Sequence, residues 1–138
     1  MEHDYLDHGP QPFFVNISAA ALDNRDFRAA LWTGPNLQMI LMHIPARGEV
    51  GPEIHPDTDQ LIRVEAGCAL VRLGADRDCL NRHLRLCEGD AVFVPCGAWH
   101  NVINVGNCPL KLSSVYAPPH HPAGTVHSTR ADAEHSSY

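Results

Sequence analysis

The sequence predicts an all-β protein, folded as a sandwich or a barrel. Seven or eight short runs show the alternating or largely apolar pattern that is typical of strands. Turns rich in glycine and proline separate these runs at intervals of roughly 8–12 residues. Helical periodicity is almost absent, apart from one turn expected at Ser18 to Leu22 with Ser18 as its N-cap.

The strands follow from local patterns along the chain. Pro12 to Ile17 is apolar enough to be a first strand or an anchoring segment, and residues 24–32 are mixed in character. Phe93 and Trp99 are expected in the core, with the wall of a pocket beside His100 as the alternative for Trp99. Further strands are expected at residues 37–44, 61–65, 68–73, 82–86, 91–94, 100–104 and 110–116.

The chain has 138 residues, which is the size of one ordinary domain. Residues 1–11 are polar and are expected to form a flexible arm. Residues 12–117 would form the β-barrel domain. Residues 118–138 carry several prolines and histidines and are expected to be an extended or mobile tail, solvated or docked on the domain.

The net charge argues against two classes of partner. Ten Lys and Arg residues stand against sixteen Asp and Glu residues, which gives a formal net charge of −6. A nucleic-acid-binding surface requires a basic patch, and an anionic membrane surface also attracts basic residues. We therefore expect no nucleic acid and no membrane as partner, but a small-molecule ligand or substrate.

The cysteines and the N-terminus favour a cytoplasmic protein. The five cysteines are odd in number and include no CxxC pair, so reduced thiols are expected rather than a disulfide framework. The polar N-terminus does not resemble a signal peptide. No apolar run approaches the ~18 residues that a membrane span requires.

Four side chains are candidate metal ligands. Glu53 and His55 are two residues apart, which in a strand places them on the same face. Gln60 follows a turn and can fold back beside them. His100 begins a strand after a Pro/Gly turn. A carboxylate, two imidazoles and an amide oxygen suit a divalent first-row metal.

The stretch from Gly89 to Asn104 carries a resemblance to a known family. The second motif of the cupin superfamily is a glycine, five residues, Pro-x-Gly, two residues, His, three residues and Asn. This chain has Gly89, Pro95, Gly97, His100 and Asn104 at that spacing.

The first cupin motif is similar in spacing but differs in two identities. It usually reads Gly, about five residues, His-x-His, three or four residues, Glu, six residues, Gly. Here Gly48 is followed by Glu53, His55, Gln60 and Gly67. Glu53 stands where the family has its first His, and Gln60 stands where it has Glu.

The resemblance implies a double-stranded β-helix jelly-roll barrel with one divalent metal ion, such as Zn, Fe, Mn or Ni. The implied ligands are Glu53, His55, Gln60 and His100, whose formal charge of −1 equals that of the family's usual set. The same donor types, in a different order, occur in the type I phosphomannose isomerases, which are zinc cupins. The chain is thus similar to small single-domain cupins that are described as mannose-6-phosphate-isomerase-like.

Three functions remain open for such a barrel, because cupins host many chemistries. The first is a metal-dependent isomerase that acts on a sugar or another hydroxy-carbonyl compound, in which Glu53 could be the base if it is not a ligand. The second is an iron or manganese dioxygenase. The third is a non-catalytic binding or sensing module. Gln60 could alternatively hydrogen-bond a water or a substrate.

A homodimer is expected, because small cupins commonly pair through an exposed sheet edge. The segment Pro12 to Ile17 could supply a strand to a neighbouring copy. Asp57 and Asp59 are expected to serve turn geometry. His43 is expected in the core or on the surface rather than in the site.

Overall fold

The computed structural model describes residues 7–135, and the predicted all-β fold is confirmed. Within this range the chain forms nine strands and two short helices. The helices are α1 (Ile17–Asp23) and α2 (Arg130–Glu134). The strands are β1 (Arg28–Thr33), β2 (Gln38–Ile44), β3 (Asp59–Ala66), β4 (Cys68–Gly74), β5 (Arg82–Cys87), β6 (Ala91–Val94), β7 (Trp99–Asn104), β8 (Leu110–Ala117) and β9 (Val126–His127).

The strands form two antiparallel sheets that enclose one core. The larger sheet has the order β6-β3-β8-β2-β1-β9, and the smaller has the order β5-β4-β7. Side chains of both sheets meet in a single buried cluster that includes Ile40, Val71 and Val102. Because alternate residues of each strand point inward, each sheet contributes one apolar face to this core.

One inward-facing row of the larger sheet is polar and marks the end of the barrel where the site lies. Gln60 is opposite Tyr116 on β8, and Tyr116 is opposite Gln38 on β2. All three side chains are buried. The next inward row, Ile62 opposite Ser114 and Ser114 opposite Ile40, begins the largely apolar core. Buried polar side chains usually have partners, and the amide nitrogens of Gln38 and Gln60 donate to His121 and Ser114.

The N-terminal part of the domain differs from the predicted strand and cap. Residues 12–16 form no strand, and Phe14 is 93% exposed. Helix α1 begins at Ile17, and its N-cap is Asn16, whose side chain accepts a hydrogen bond from the backbone N–H of Ala19 at 2.9 Å. The prediction of Ser18 as the cap was wrong, because its hydroxyl donates instead to Glu65 at 2.9 Å.

The first strand lies in the segment that looked mixed. Strand β1 begins at Arg28 and pairs with β2 on one side and with β9 on the other. The polar residue Arg28 faces the barrel interior and is only 3% exposed. An inward arginine breaks the apolar alternation on which strand prediction depends, so the sequence pattern concealed this strand.

Phe93 is the one predicted core residue whose placement was wrong. It is 76% exposed, whereas its neighbours Val92 and Val94 on β6 are buried. The strand alternates strictly, and Val92 and Val94 occupy the inward positions. Trp99 is intermediate in exposure.

Two cysteines form a disulfide, so the expectation of reduced thiols was wrong for this pair. Cys68 and Cys87 are joined across β4 and β5, with their Cα atoms 4.1 Å apart. The antiparallel register places them directly opposite each other. Spacing along the chain did not indicate this pairing. Cys79, Cys96 and Cys108 are free and exposed. A cytoplasmic location, which depended partly on reduced thiols, stays a prediction.

Both ends of the described chain are fixed to β1. His8 N donates to the carbonyl of Leu31 at 2.9 Å, and the Trp32 indole donates to the carbonyl of Gln11 at 2.7 Å. The predicted C-terminal tail contributes β9 and α2. The first six residues of the predicted arm and the last three of the predicted tail lie outside the described residues.

The two helices among residues 7–135 are not membrane spans. Neither is long and apolar enough to cross a bilayer.

Candidate metal centre

Backbone pairing brings the two cupin-like motifs together. The segment that carries Glu53 runs antiparallel beside β7. Glu53 N donates to the carbonyl of His100 at 2.8 Å, and His100 N donates to the carbonyl of Glu53 at 2.9 Å. Further along, Gly97 N donates to the carbonyl of His55 at 2.9 Å. Residues directly opposite each other across such a pair have neighbouring side chains.

Three of the four predicted ligands form one cluster. Glu53, His55 and His100 each offer a ligand atom, and these atoms lie within 4.8 Å of one another. His55 and His100 are 4% and 2% exposed. Two buried imidazoles and one partly exposed carboxylate form a donor set that suits a divalent first-row metal.

His100 is held in the tautomer that a metal ligand requires. Its Nδ1 lies 3.1 Å from the carbonyl oxygen of Ala98, which can only accept, so Nδ1 carries the proton. Burial lowers the pKa of His100, which keeps the ring neutral. The lone pair is therefore on Nε2, which is buried and has no hydrogen-bond partner among the described residues. A hydrogen bond on the other ring nitrogen is the usual support of a metal-ligating histidine.

His55 is enclosed by other rings. Its Nε2 lies 3.6 Å from Glu53 Oε1, and neither of its ring nitrogens has a hydrogen-bond partner in the described part of the chain. The ring of Tyr116 packs against it edge-on at 5.5 Å, and the ring of His120 lies at 4.2 Å. A buried imidazole without partners costs free energy, which a bound cation would offset.

Glu53 is a carboxylate under all ordinary conditions. Burial raises its pKa, but the adjacent His55 ring and the positive charge of Arg28 outweigh burial and lower the pKa to about 2. Arg28 Nη2 lies 3.4 Å from Glu53 Oε2. A carboxylate with so low a pKa is a weak base, which favours the ligand role over the base role.

Gln60 faces the same internal cavity as Glu53 and His100. Its Nε2 donates to the hydroxyl of Ser114 at 3.4 Å, while its Oε1 is buried and has no partner among residues 7–135. This orientation leaves the amide oxygen, which is the atom of the amide that can bind a cation, without a partner among residues 7–135. Direct ligation by Gln60 stays a prediction.

Sequence analysis missed several residues around the site. Arg28 was hidden in a mixed segment, and Tyr116 was taken only as part of a strand. His120 and His121 were assigned to the tail, but they lie against Tyr116, with ring centroids at 5.9 Å and 5.3 Å. The signal that could have found them is their position directly after the last long strand, behind two prolines that extend the backbone.

Three other polar residues have structural roles. Asp59 accepts from Cys96 N at 2.9 Å and so fixes the turn before His100, rather than the turn in its own segment as expected. Asn104 donates to three carbonyls, including that of Ile44 at 3.0 Å. His43 contacts the Lys111 amine at 2.8 Å through Nδ1, as one of the packing roles expected for it.

The family assignment follows from a comparison with known protein families. The Cupin domain family matches residues 40–116, which extend from within β2 to within β8 and include all four predicted ligands. The chain belongs to the cupin family. Its double-stranded β-helix is thereby confirmed, and Glu53, His55 and His100 form a possible metal-binding site within this cupin domain.

Two of the proteins that this cupin resembles are uncharacterized. The chain is 52% identical over 127 residues to YrkC of Bacillus subtilis, and the match covers 92% of this chain and 68% of YrkC. It is 38% identical to the uncharacterized protein L612 of Acanthamoeba polyphaga mimivirus, with 84% and 71% covered. The crystal structure of BH2720 from Bacillus halodurans is 51% identical, with a TM-score of 0.93 over 95% of this chain and 99% of that chain.

The residues present fit a metal ion. The unpartnered buried atoms of the cupin include His100 Nε2, both His55 nitrogens and Gln60 Oε1. A cation would bind one atom of each of these residues, and the Glu53 carboxylate beside them balances its charge. Buried polar atoms are rarely left without partners, and a bound ion is one explanation when several converge.

Proposed function

We propose that this cupin is a metal-dependent enzyme that isomerises a sugar or another hydroxy-carbonyl compound. The observation that carries the proposal is the convergence of ligand atoms from Glu53, His55 and His100, with Gln60 as a fourth donor; the ring nitrogens of His55, Nε2 of His100 and Oε1 of Gln60 have no partner among the described residues. One divalent ion such as Zn, Fe, Mn or Ni would bind there. It would supply Lewis-acid chemistry that polarises a carbonyl group. A relation to mannose-6-phosphate isomerases is part of this proposal and rests on the donor types alone.

The residues of the chain have separate tasks in this reaction. His55 and His100 bind through neutral ring nitrogens, and Arg28 orients Glu53 through its 3.4 Å contact. Tyr116 and the buried rings beside it exclude water from one side. His120 is only partly buried and lies beside His55, so it contacts a small molecule that enters the mouth of the barrel.

A dioxygenase is the second candidate, and one specific observation favours it. The three clustered residues are two histidines and one carboxylate, which is the ligand set of the non-haem iron oxygenases. If Gln60 is not a ligand, three coordination positions remain for substrate and O₂. This function requires Fe(II) or Mn(II) and consumes O₂.

The metal-binding part of the proposal is tested by elemental analysis and titration of untagged protein. We expect His100→Ala to weaken metal affinity by more than about 100-fold, since loss of a direct ligand exceeds the effect of losing its supporting partner. His83→Ala, at an exposed histidine on β5, is the matched control and is expected to bind as the unaltered protein does. Equal metal affinity in the two variants would contradict the site.

The reaction is tested with the metal-loaded protein and small hydroxy-carbonyl compounds, aldoses and ketoses included. Isomerase activity predicts turnover in the absence of O₂, followed by NMR, and loss of turnover after chelation. O₂ consumption with Fe(II) or Mn(II) would favour the dioxygenase instead. Ligand binding without turnover of any compound would indicate a binding module.

A further inference from the structure

A second cavity lies on the other side of Glu53. It has a volume of about 260 Å³ and is open to solvent. We call it the arginine pocket, and its polar lining consists mainly of Arg28, Arg77, Arg130, Glu53 and Glu134. The internal metal cavity and the arginine pocket share Glu53 as a wall.

The arginine pocket concentrates positive charge in an acidic protein. The whole chain has ten Lys and Arg residues and a formal net charge of −6, yet three arginines line this one cavity. Two carboxylates oppose them, and a metal ion beside Glu53 would neutralise one of these. The pocket is therefore basic in a chain that is acidic overall, and such local charge decides which ligand binds.

Two of the arginines keep donor groups without partners. Arg28 is 3% exposed, and its Nε is buried with no hydrogen-bond partner among the described residues. Arg77 forms no hydrogen bond or ion pair with any residue in the range 7–135. Most buried side-chain donors have a partner, so the unpartnered Nε of Arg28 indicates a ligand group that the protein itself does not supply.

The third arginine, Arg130, lies against the backbone of Gly51. Arg130 Nη2 lies so close to Gly51 that a Cβ atom at position 51 would be 2.8 Å from it. Gly51 also has φ = +99°, a conformation that favours glycine. Its N–H donates to Asn101 Oδ1 at 2.8 Å, which fixes this turn. Glu134 pairs with Arg130 Nε at 3.2 Å and leaves its other donors available.

We propose that the arginine pocket binds an anionic group, a phosphate or a carboxylate. Guanidinium groups match both anions through paired N–H donors, and such charge-assisted hydrogen bonds are stronger than neutral ones. Because the pocket adjoins Glu53, the substrate of the cupin carries this anionic group close to the carbonyl group that would bind at the metal site. This last step rests on the proposed function. The anion site itself does not.

The anion site is tested by titration of the full-length protein, as purified and after chelator treatment, with inorganic phosphate and separately with acetate. The test variant is the double substitution Arg77→Gln/Arg130→Gln. The control is Arg82→Gln/Arg85→Gln on β5, which removes the same charge from exposed positions outside the pocket. We expect at least 10-fold weaker anion binding in the test variant and less than a 2-fold change in the control.

The separate titrations with phosphate and with acetate show which anion the pocket binds. Binding of phosphate alone or acetate alone that is lost in the test variant assigns the pocket to that anion. Failure of both to bind, or equal loss in test and control variants, overturns the proposal. All four residues are exposed, so the variants are expected to fold, which the melting temperature checks.

A third variant separates this inference from the metal centre. Glu53→Gln removes a carboxylate from the wall of the pocket and releases Arg28 from its ion pair. We expect phosphate to bind several-fold more tightly in this variant, although it would bind metal poorly. Loss of phosphate binding would mean that the anion binds through the metal, and would overturn the proposal. Absence of metal uptake in the unaltered protein would refute the metal centre but leave the anion result unchanged.

Discussion

His121 shows how surroundings, rather than residue type, decide what a histidine contributes. It is 5% exposed, and both of its ring nitrogens are buried without a hydrogen-bond partner among the described residues. Burial lowers its pKa to about 3, and the positive charge of Arg28 acts in the same direction. The neutral ring is therefore the only form that the folded protein accepts near neutral pH.

The low pKa of His121 makes the free energy of unfolding depend on pH between about 6.5 and 3. Below about pH 6.5 the unfolded chain binds a proton at His121 that the folded chain does not bind, so folding becomes less favourable as the pH falls toward 3. The free energy of unfolding of the original protein is expected to fall relative to that of His121→Leu, by up to about 1.4 kcal/mol for each pH unit. Urea denaturation of the chelator-treated protein between pH 6.5 and pH 4 measures this difference.

Ile40→Val is the control for this measurement. Ile40 is fully buried and uncharged, so its substitution costs about 1 kcal/mol of stability at every pH in the window. A difference between the original protein and His121→Leu that stays constant with pH would contradict the buried neutral state of His121.

At the scale of elements, the segment after β8 is attached to the barrel by one amide. Gln38 on β2 is fully buried, and its Nε2 donates to the carbonyl of His121 at 2.8 Å. Its Oε1 accepts from the N–H groups of His120 and His121 at 3.2 Å and 3.0 Å. One side chain thus satisfies three backbone groups, and it places the His120 ring beside His55 and the His121 ring beside Tyr116.

Gln38→Met is expected to release this segment. The substitution keeps the side-chain length but leaves three buried backbone groups without partners, at a cost of about 1–3 kcal/mol for each such group that stays buried. Hydrogen exchange at the amides of His120 and His121 should become faster, while exchange in the β3–β8 ladder changes much less.

The matched substitution is Gln11→Met, at an exposed glutamine, which is expected to leave exchange unchanged throughout. If Gln38→Met leaves the two histidine amides as protected as before, the amide of Gln38 does not hold the segment.

At the scale of the whole molecule, the expected homodimer is a prediction that concerns the exposed segment before α1. Phe14 is 93% exposed in the isolated chain, and Phe13, stacked on His8 at 4.1 Å, is 39% exposed. Large apolar side chains with this exposure commonly mark a contact between proteins. The segment does not form a strand within its own chain, so its backbone remains available to a second copy.

Phe14→Ser is expected to shift a dimer toward monomer in sedimentation equilibrium. The control is Leu22→Ser on α1, where a residue that is 54% exposed is replaced in the same way. A monomeric original protein, or a dimer that both substitutions leave equally intact, would contradict a contact through Phe14.

The sequence by itself determined those parts of the protein that depend on residues close together in the chain. The spacing from Gly89 to Asn104 predicted the turn between β6 and β7 with His100 at its end, and Gly97 does adopt φ = +83°. The alternation of residues 110–116 and the largely apolar run at residues 37–44 predicted β8 and β2 almost to their observed ends. Local turn chemistry and side-chain alternation require no knowledge of distant neighbours.

Only the tertiary structure decided which distant residues meet. Arg28 reaches Glu53 because β1 lies beside β2 with an inward arginine, and Cys68 bonds Cys87 because the β4–β5 register places them opposite each other. His121 lies against Tyr116, near the candidate metal site, because Gln38, 83 positions earlier, binds its backbone. Such contacts depend on strand order and register, which the whole set of buried side chains fixes together. No local sequence pattern predicts these contacts. They include residues around the site, such as Arg28 and His121, that lie outside the two cupin motifs.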